Sequence, residues 1–246
     1  MYVQYTLTND DELLIDYYAT TDQATPLNLT NHLYWNLSGQ LKRSVEDNYL
    51  KLPYSYYLPK DSEGIPTGEI KNVSKDPKFN FTQFRNLKRK LHAIVADKSV
   101  TGLDHCYVKS GSEQSRFLTQ SETTPLALGE NGSKPSNFTL PELPTDMPLH
   151  DMAVLIDGES GRKLTVKGTQ PGLQVYTADN LNEFYPYVAR NAICLETQHY
   201  PDSVHQPTFP SVILEPGKIY RHRTVYAFSI AGEAEVRAVT GEAEEK

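Results

Sequence analysis

The sequence from Thr25 to Leu37, TPLNLTNHLYWNL, alternates apolar and polar side chains. Because successive side chains of a strand point to opposite faces, it predicts a strand with one apolar face and one polar face. Buried polar groups need partners, so we expect His32 to face a polar site. The solvated face of an antiparallel sheet would give the same alternation. The apolar face carries Leu27, Leu29, Leu33, Trp35 and Leu37 with Asn31, and the polar face carries Asn28, Thr30, His32, Tyr34 and Asn36.

A second segment, residues 191–202, places a carboxylate among apolar side chains. It reads NAICLETQHYPD. In a strand Ile193 and Leu195 point to one face, while Cys194 and Glu196 point to the other. Such a glutamate is a capping residue, an ion-pairing residue or a catalytic acid or base. The structural roles are commoner for an isolated glutamate, so the pattern alone leaves the choice open.

Short alternating segments recur along the chain and predict an all-β fold. Helical periodicity is confined to residues 84–92. A length of 246 residues permits one large all-β domain or two smaller ones, and without a convincing linker we expect a single domain, 1–246. Residues 110–149 are rich in Gly, Ser, Thr and Pro and are expected to form a surface insertion. The strand segments are 2–8, 13–20, 164–167, 173–177, 192–196, 211–214 and 220–230.

The amino-acid composition argues against several classes of binding partner. The net charge of -7 argues against nucleic acid, because phosphate binding needs concentrated Lys and Arg. No apolar run of about 18 residues occurs, so no membrane partner or span is indicated. Cys106 and Cys194 do not make a disulfide framework and have no metal-type spacing. We therefore expect free thiols and no metal site.

Five short motifs follow one another along the chain. They are residues 25–39, residues 57–59 with 65–70, residues 102–105 (GLDH), residues 170–177 (QPGLQVYT), and residues 195–198 (LETQ) with 201–202 and 209–210. Each motif alone is weak, since Pro-Gly by itself indicates only a turn. Together they resemble the aldose 1-epimerases, also called galactose mutarotases, because all five occur in that family's order, and the resemblance extends to about Ile230.

The resemblance implies a large antiparallel β-sandwich of the galactose mutarotase type with a concave sugar site. It also implies interconversion of the α and β anomers of a free hexose, such as galactose or glucose, with no cofactor. That reaction needs a base and an acid on opposite sides of the sugar, and positioned proton transfer contributes roughly 10²- to 10⁴-fold in rate. By the resemblance, Glu196 is the general base and His32 the general acid.

Two further residues look like the family's ligands of sugar hydroxyls. Asp104 would accept hydrogen bonds, and Gln174 would both donate and accept them. Each has a structural alternative. An Asp after Gly-Leu is often a turn residue, and Gln174 with Tyr176 would equally fit a solvated sheet face.

The sequence departs from the family at its N-terminal end. The family's Asn-Arg and Leu-His-Gly-Gly segments, which contribute an arginine and another histidine to the sugar site, do not occur upstream of His32. We therefore expect an N-terminally incomplete sandwich with an exposed sheet edge. Because small misplacements of a substrate are costly in rate, a catalytically weak or inactive carbohydrate-binding relative is the alternative function. The expected location is cytoplasmic, with secretion as the alternative, and the oligomeric state stays open.

Overall fold

The protein is described by a computed structural model over residues 1–39, 43–96, 100–109 and 148–241. Its α-helices are α1 (Leu87–Val95) and α2 (Glu233–Thr240). Its strands are β1 (Tyr2–Leu7), β2 (Glu12–Ala19), β3 (Thr25–Pro26), β4 (Tyr34–Trp35), β5 (Asn48–Lys51), β6 (Tyr56–Tyr57), β7 (Lys71–Asn72), β8 (Arg85–Asn86), β9 (Asp104–Val108), β10 (His150–Asp157), β11 (Arg162–Gly168), β12 (Gly172–Tyr176), β13 (Ile193–Gln198), β14 (Ile213–Leu214) and β15 (Tyr220–Ile230).

Two antiparallel sheets organise these strands. The first has seven strands in the order β1-β2-β15-β11-β10-β5-β8, and the second has six in the order β4-β13-β12-β9-β6-β7. Strands β14 and β3 pair separately. Within the described ranges every strand pairing is antiparallel. The expected all-β class is therefore confirmed.

The hydrophobic core lies between the two sheets. Ile15, Leu164 and Tyr226 of the seven-stranded sheet are fully buried in the same cluster as Leu173 and Leu195 of the six-stranded sheet. A fully buried Leu or Ile side chain contributes about 1.5–3 kcal/mol to folding. Because side chains of both sheets share this core, the sheets form the predicted β-sandwich.

The helix expected near residues 84–92 is present as α1. The side chain of Asn86 accepts a hydrogen bond from the Arg89 amide and caps its first turn. Leu87, Leu91 and Ile94 are buried at the spacing of one helix face. Nothing in the sequence pattern predicts α2, which buries none of its residues.

The segment 25–37 is not the continuous strand that its alternation predicts. Only parts of it pair, as β3 and β4. Between them Asn28 Nδ2 donates to the His199 carbonyl and Asn28 Oδ1 accepts from the His199 amide, while Thr30 Oγ1 donates to the Thr197 carbonyl. These side-chain hydrogen bonds take the place of a backbone ladder. The expected apolar side chains still pack on the core, namely Leu27, Leu29, Leu33, Trp35 and Leu37.

Three expectations concern the surface. Of the expected insertion at 110–149, residues 110–147 lie outside the described residues. The expected exposed sheet edge is found at β1, which pairs only with β2 among the described strands and leaves Val3, Tyr5 and Leu7 exposed. Over the same described ranges, no helix has the length and apolar character needed to cross a membrane.

Candidate active site

Strand pairing brings the four candidate residues to one place. Glu196 of β13 lies opposite Gln174 of β12, and Asp104 of β9 lies opposite Tyr176 of β12. His32 comes shortly before β4, which pairs with β13. His32, Asp104, Gln174 and Glu196 all line one cavity of about 350 Å³. Its volume is in the range of small-molecule sites.

His32 and Glu196 form a close pair at this cavity. His32 Nε2 lies 3.6 Å from Glu196 Oε1, and their side chains are 48% and 9% exposed. Burial, followed by the negative charge of Asp104, raises the pKa of Glu196 from 4.5 to about 7. At 3.6 Å the His32 imidazole lies beyond the length of a charged hydrogen bond, about 2.7–2.9 Å. Near neutral pH this carboxyl group is present in both protonation states.

The short separation differs from the expectation that acid and base lie on opposite sides of the sugar. A pyranose ring does not fit into the 3.6 Å between His32 Nε2 and Glu196 Oε1. A sugar would therefore lie beside the pair. The anomeric hydroxyl oxygen and the ring oxygen are bonded to the same carbon, so an acid and a base that serve them can be neighbours.

Cys194 and two tyrosines surround the His32 ring. Cys194 Sγ lies 3.5 Å from His32 Nδ1, and the ring centroids of Tyr34 and Tyr176 lie 4.9 and 6.0 Å from that of His32. Burial, followed by the charge of Glu196, raises the pKa of the Cys194 thiol well above its ordinary value. Cys194 contacts one ring nitrogen of His32, and Glu196 lies nearest the other.

Lys60 is a cavity residue that the sequence motifs did not single out. Its Nζ lies 2.6 Å from Asp104 Oδ2, and Gln174 Nε2 donates to Asp104 Oδ1 at 2.6 Å. Both oxygens of Asp104 therefore have a donor, which restricts the orientation of the carboxylate. Lys60 directly follows residues 57–59, the start of the second motif. This position next to a motif is the feature of the sequence that could have indicated Lys60 as a site residue.

Gln174 has an acceptor atom that no described residue uses. Its Oε1 is buried and has no hydrogen-bond partner among the described residues. An unpaired buried carbonyl oxygen costs about 1–3 kcal/mol, and a ligand hydroxyl would satisfy it. The solvated-face alternative does not explain this oxygen. The turn alternative for Asp104 is wrong, because Asp104 is the first residue of β9.

His105 lines the same cavity as a packing residue. It is 5% exposed, and its ring centroid lies 4.5 Å from that of Phe79 and 5.9 Å from that of Tyr57. Burial, with a smaller contribution from the charge of Lys60, lowers the pKa of His105 to about 4. The ring is therefore neutral at pH 7.

A buried hydroxyl connects the backbone segments that carry the pair. Tyr226 Oη lies 2.6 Å from Asn31 Oδ1 and 2.6 Å from the Leu195 carbonyl oxygen. Both partners are acceptors, so they share the single hydroxyl hydrogen. Asn31 directly precedes His32, and Leu195 directly precedes Glu196. Tyr226 thereby positions the two segments relative to each other.

Beside the cavity, one group of side chains among the described residues has donor atoms that can bind a transition metal. His32, Cys194 and Glu196 offer a nitrogen, a sulfur and an oxygen, all within 4.8 Å of one another. The expectation of no metal site was based on the spacing of the cysteines along the chain. The pairing of β4 with β13 brings this group together, and the spacing along the sequence does not reveal that pairing.

The sequence that forms this site matches a known protein family. Residues 1–227 match the sequence profile of the family described as aldose 1-epimerase. The chain belongs to the aldose 1-epimerase family. The resemblance drawn from the five motifs is thereby confirmed, and the match covers the segments of this aldose 1-epimerase family member that carry all four candidate residues.

Curated relatives align with nearly the whole chain. The galactose mutarotase of Homo sapiens is 34% identical over 237 residues, which are 94% of this chain and 58% of the relative. The aldose 1-epimerase of Escherichia coli is 29% identical over 233 residues, which are 92% of this chain and 57% of the relative. This member of the aldose 1-epimerase family thus spans somewhat more than half the length of the curated relatives it matches.

Solved structures share the fold. The GalM/aldose epimerase homologue from C. elegans superposes with a TM-score of 0.67 at 23% identity, covering 94% of this chain and 59% of the other. The galactose 1-epimerase from Lactobacillus acidophilus gives a TM-score of 0.67 at 22% identity, covering 94% of this chain and 57% of the other. The expected galactose mutarotase type of sandwich is confirmed for this aldose 1-epimerase family chain.

Proposed function

We propose that this chain carries the acid/base site of an aldose 1-epimerase, which interconverts the α and β anomers of a free hexose such as galactose or glucose. The pair of His32 and Glu196 carries the proposal. In this pair a carboxyl group with a pKa of about 7 lies 3.6 Å from an imidazole at the edge of a cavity. The names of the relatives, galactose mutarotase and aldose 1-epimerase, support the substrate class.

The proposed reaction moves two protons. Glu196, as a carboxylate, takes the proton of the anomeric hydroxyl while His32 gives a proton to the ring oxygen, and the bond between the anomeric carbon and the ring oxygen breaks. The open-chain aldehyde rotates about the bond beside its carbonyl carbon, so that the hydroxyl formed from the ring oxygen attacks the other face. On closure His32 takes that hydroxyl proton and Glu196 protonates the new anomeric oxygen. Both residues return to their starting states.

The raised pKa of Glu196 suits this role. A general base works best when its pKa lies near the operating pH, because it is then ionised and still takes up a proton readily. We expect kcat/KM to fall as the pH drops below about 7, where Glu196 becomes protonated. Burial thus supplies a base that an exposed glutamate would not provide at neutral pH.

Asp104 and Gln174 are the proposed ligands of the sugar hydroxyls. The Asp104 carboxylate accepts hydrogen bonds, and the unpaired Oε1 of Gln174 accepts one more. Lys60 holds Asp104 through a 2.6 Å contact and offers further donors at the cavity. A small cavity with several converging polar groups fits a neutral ligand that is rich in hydroxyls.

Polarimetry on freshly dissolved α-D-galactose and α-D-glucose tests the proposal. The wild-type protein should accelerate the first-order change in optical rotation. Glu196→Gln should lower the catalysed rate by roughly 10²- to 10⁴-fold, because an amide does not take up the hydroxyl proton. Glu215→Gln, at an exposed glutamate, is the matched control and should retain the rate. A folded wild-type protein that binds hexose without accelerating mutarotation would be a carbohydrate-binding relative, and the enzyme proposal would fail.

A further inference from the structure

The His32, Cys194 and Glu196 side chains form a donor set of three different atom types. We propose that this set binds a borderline-soft divalent cation such as Zn²⁺, and that the bound ion blocks the epimerase reaction. Cys194 Sγ lies 3.5 Å from His32 Nδ1, and Glu196 Oε1 lies 3.6 Å from His32 Nε2. Ligand atoms at bond lengths of about 2.0–2.3 Å around a tetrahedral zinc lie roughly 3.3–3.8 Å apart. Those two distances run to different nitrogens of the His32 ring, and one ion binds only one of them. With a single ring nitrogen the three donor atoms lie within 4.8 Å of one another, a spacing that a small movement of the half-exposed His32 side chain would close.

The backbone holds these donors in place. Cys194 and Glu196 alternate along β13 and so point to the same face of the sheet. His32 enters from the segment before β4, whose residue Tyr34 pairs with Cys194. The Tyr226 hydroxyl bridge fixes the same two segments from the core side. Preorganised ligands favour metal binding, because little ordering remains to be done when the ion arrives.

An ion can reach the set from the cavity. Cys194 is fully buried, but the His32 side chain is 48% exposed, and His32 and Glu196 both line the cavity. On binding, the Cys194 thiol would release its proton to solvent, and one ring nitrogen, the thiolate and one carboxylate oxygen would supply three ligands. Three protein ligands with a fourth position left to water is the arrangement of open zinc sites.

The expected consequence is inhibition. A bound ion occupies the lone pairs of the carboxylate and the imidazole through which the proposed reaction moves protons. This consequence rests on the proposed function, whereas binding of the ion does not. Hexose at the cavity and the ion at the pair would compete for the same two side chains.

Cobalt(II) tests binding independently of activity. Co²⁺ added to the reduced wild-type protein should produce a thiolate-to-cobalt charge-transfer band in the near ultraviolet, and Zn²⁺ should abolish the band by displacement. Cys194→Ser should lose the band. Cys106→Ser removes the other buried free thiol, which lines the same cavity, and should keep it. No band in the wild type, or a band that depends on Cys106, would overturn the proposed site.

A second variant guards against misfolding at the buried Cys194. His32→Asn changes a half-exposed side chain and should weaken Co²⁺ binding at least about tenfold, since even outer-shell changes at metal sites cost about 10- to 100-fold. In the rate assay, Zn²⁺ should slow wild-type mutarotation, and a chelator should restore it. Full activity at saturating Zn²⁺ would overturn the inhibition. A cobalt band in a protein without mutarotase activity would keep the metal site and reject the proposed function.

Discussion

Replacing Glu196 by glutamine should stabilise the folded protein at neutral and alkaline pH. Burial, with a contribution from Asp104, raises the pKa of Glu196 from 4.5 to about 7 in the folded state. The unfolded chain therefore releases this proton near pH 4.5, while the folded protein keeps it until about pH 7. Between these values the folded state binds more protons than the unfolded state, so stability falls as the pH rises.

The magnitude follows from the size of the pKa change. Each pKa unit corresponds to about 1.4 kcal/mol, so above pH 7 the buried charge removes about 3 kcal/mol from the free energy of unfolding. The Glu196 side chain is only 9% exposed, so solvent screening reduces this value little. Below pH 4.5 the carboxyl group is protonated in both states and the loss disappears. Glutamine has no charge to bury at any pH.

Urea unfolding at a series of pH values, from below 4.5 to above 7, measures the effect. The stability difference between Glu196→Gln and the wild type should grow by about 1.4 kcal/mol per pH unit across this window and then level off. The exposed Glu215→Gln control should show no such growth. A difference for Glu196→Gln that stays constant with pH would refute the raised pKa, and with it the argument that this carboxylate suits the proposed role of a base near pH 7.

Two further outcomes are expected. Tyr226→Phe removes the hydroxyl that connects the segments of the proposed acid and base, whereas Tyr107→Phe removes an equally buried hydroxyl that donates to the Phe79 carbonyl. Both substitutions should lower the free energy of unfolding by about 1–2 kcal/mol in urea titrations. Only Tyr226→Phe should lower kcat/KM, by about tenfold or more. Equal effects of the two substitutions on kcat/KM would contradict a positioning role for Tyr226. Asp104→Asn removes a charge that raises the pKa of Glu196, so the acidic limb of the kcat/KM profile should move to lower pH, by less than about one unit because burial is the larger cause. A limb that stays in place or moves to higher pH would contradict this electrostatic coupling.

The class of fold could be predicted because side-chain alternation is a local property of the backbone. The last strand was expected at residues 220–230 and is found as β15, and the strand around Glu196 is found as β13. Segment 25–37 shows the limit of the same reasoning. Its alternation correctly separates core from polar side chains, but its hydrogen bonds go from Asn28 and Thr30 to the chain near β13. A pattern of period two does not reveal which partner satisfies a polar group.

By itself, the sequence determined the all-β class, the family resemblance and the identity of the candidate acid and base, since these depend on alternation and on short motifs. Only the tertiary structure decided that His32 and Glu196 lie side by side, that Lys60 contacts Asp104, and that Cys194 completes the proposed metal-binding set. The physical reason is that distance, desolvation and pKa depend on residues brought together from distant parts of the chain. The pKa of a carboxyl group rises to about 7 when neighbouring side chains bury it, and the order of the strands determines which side chains are its neighbours.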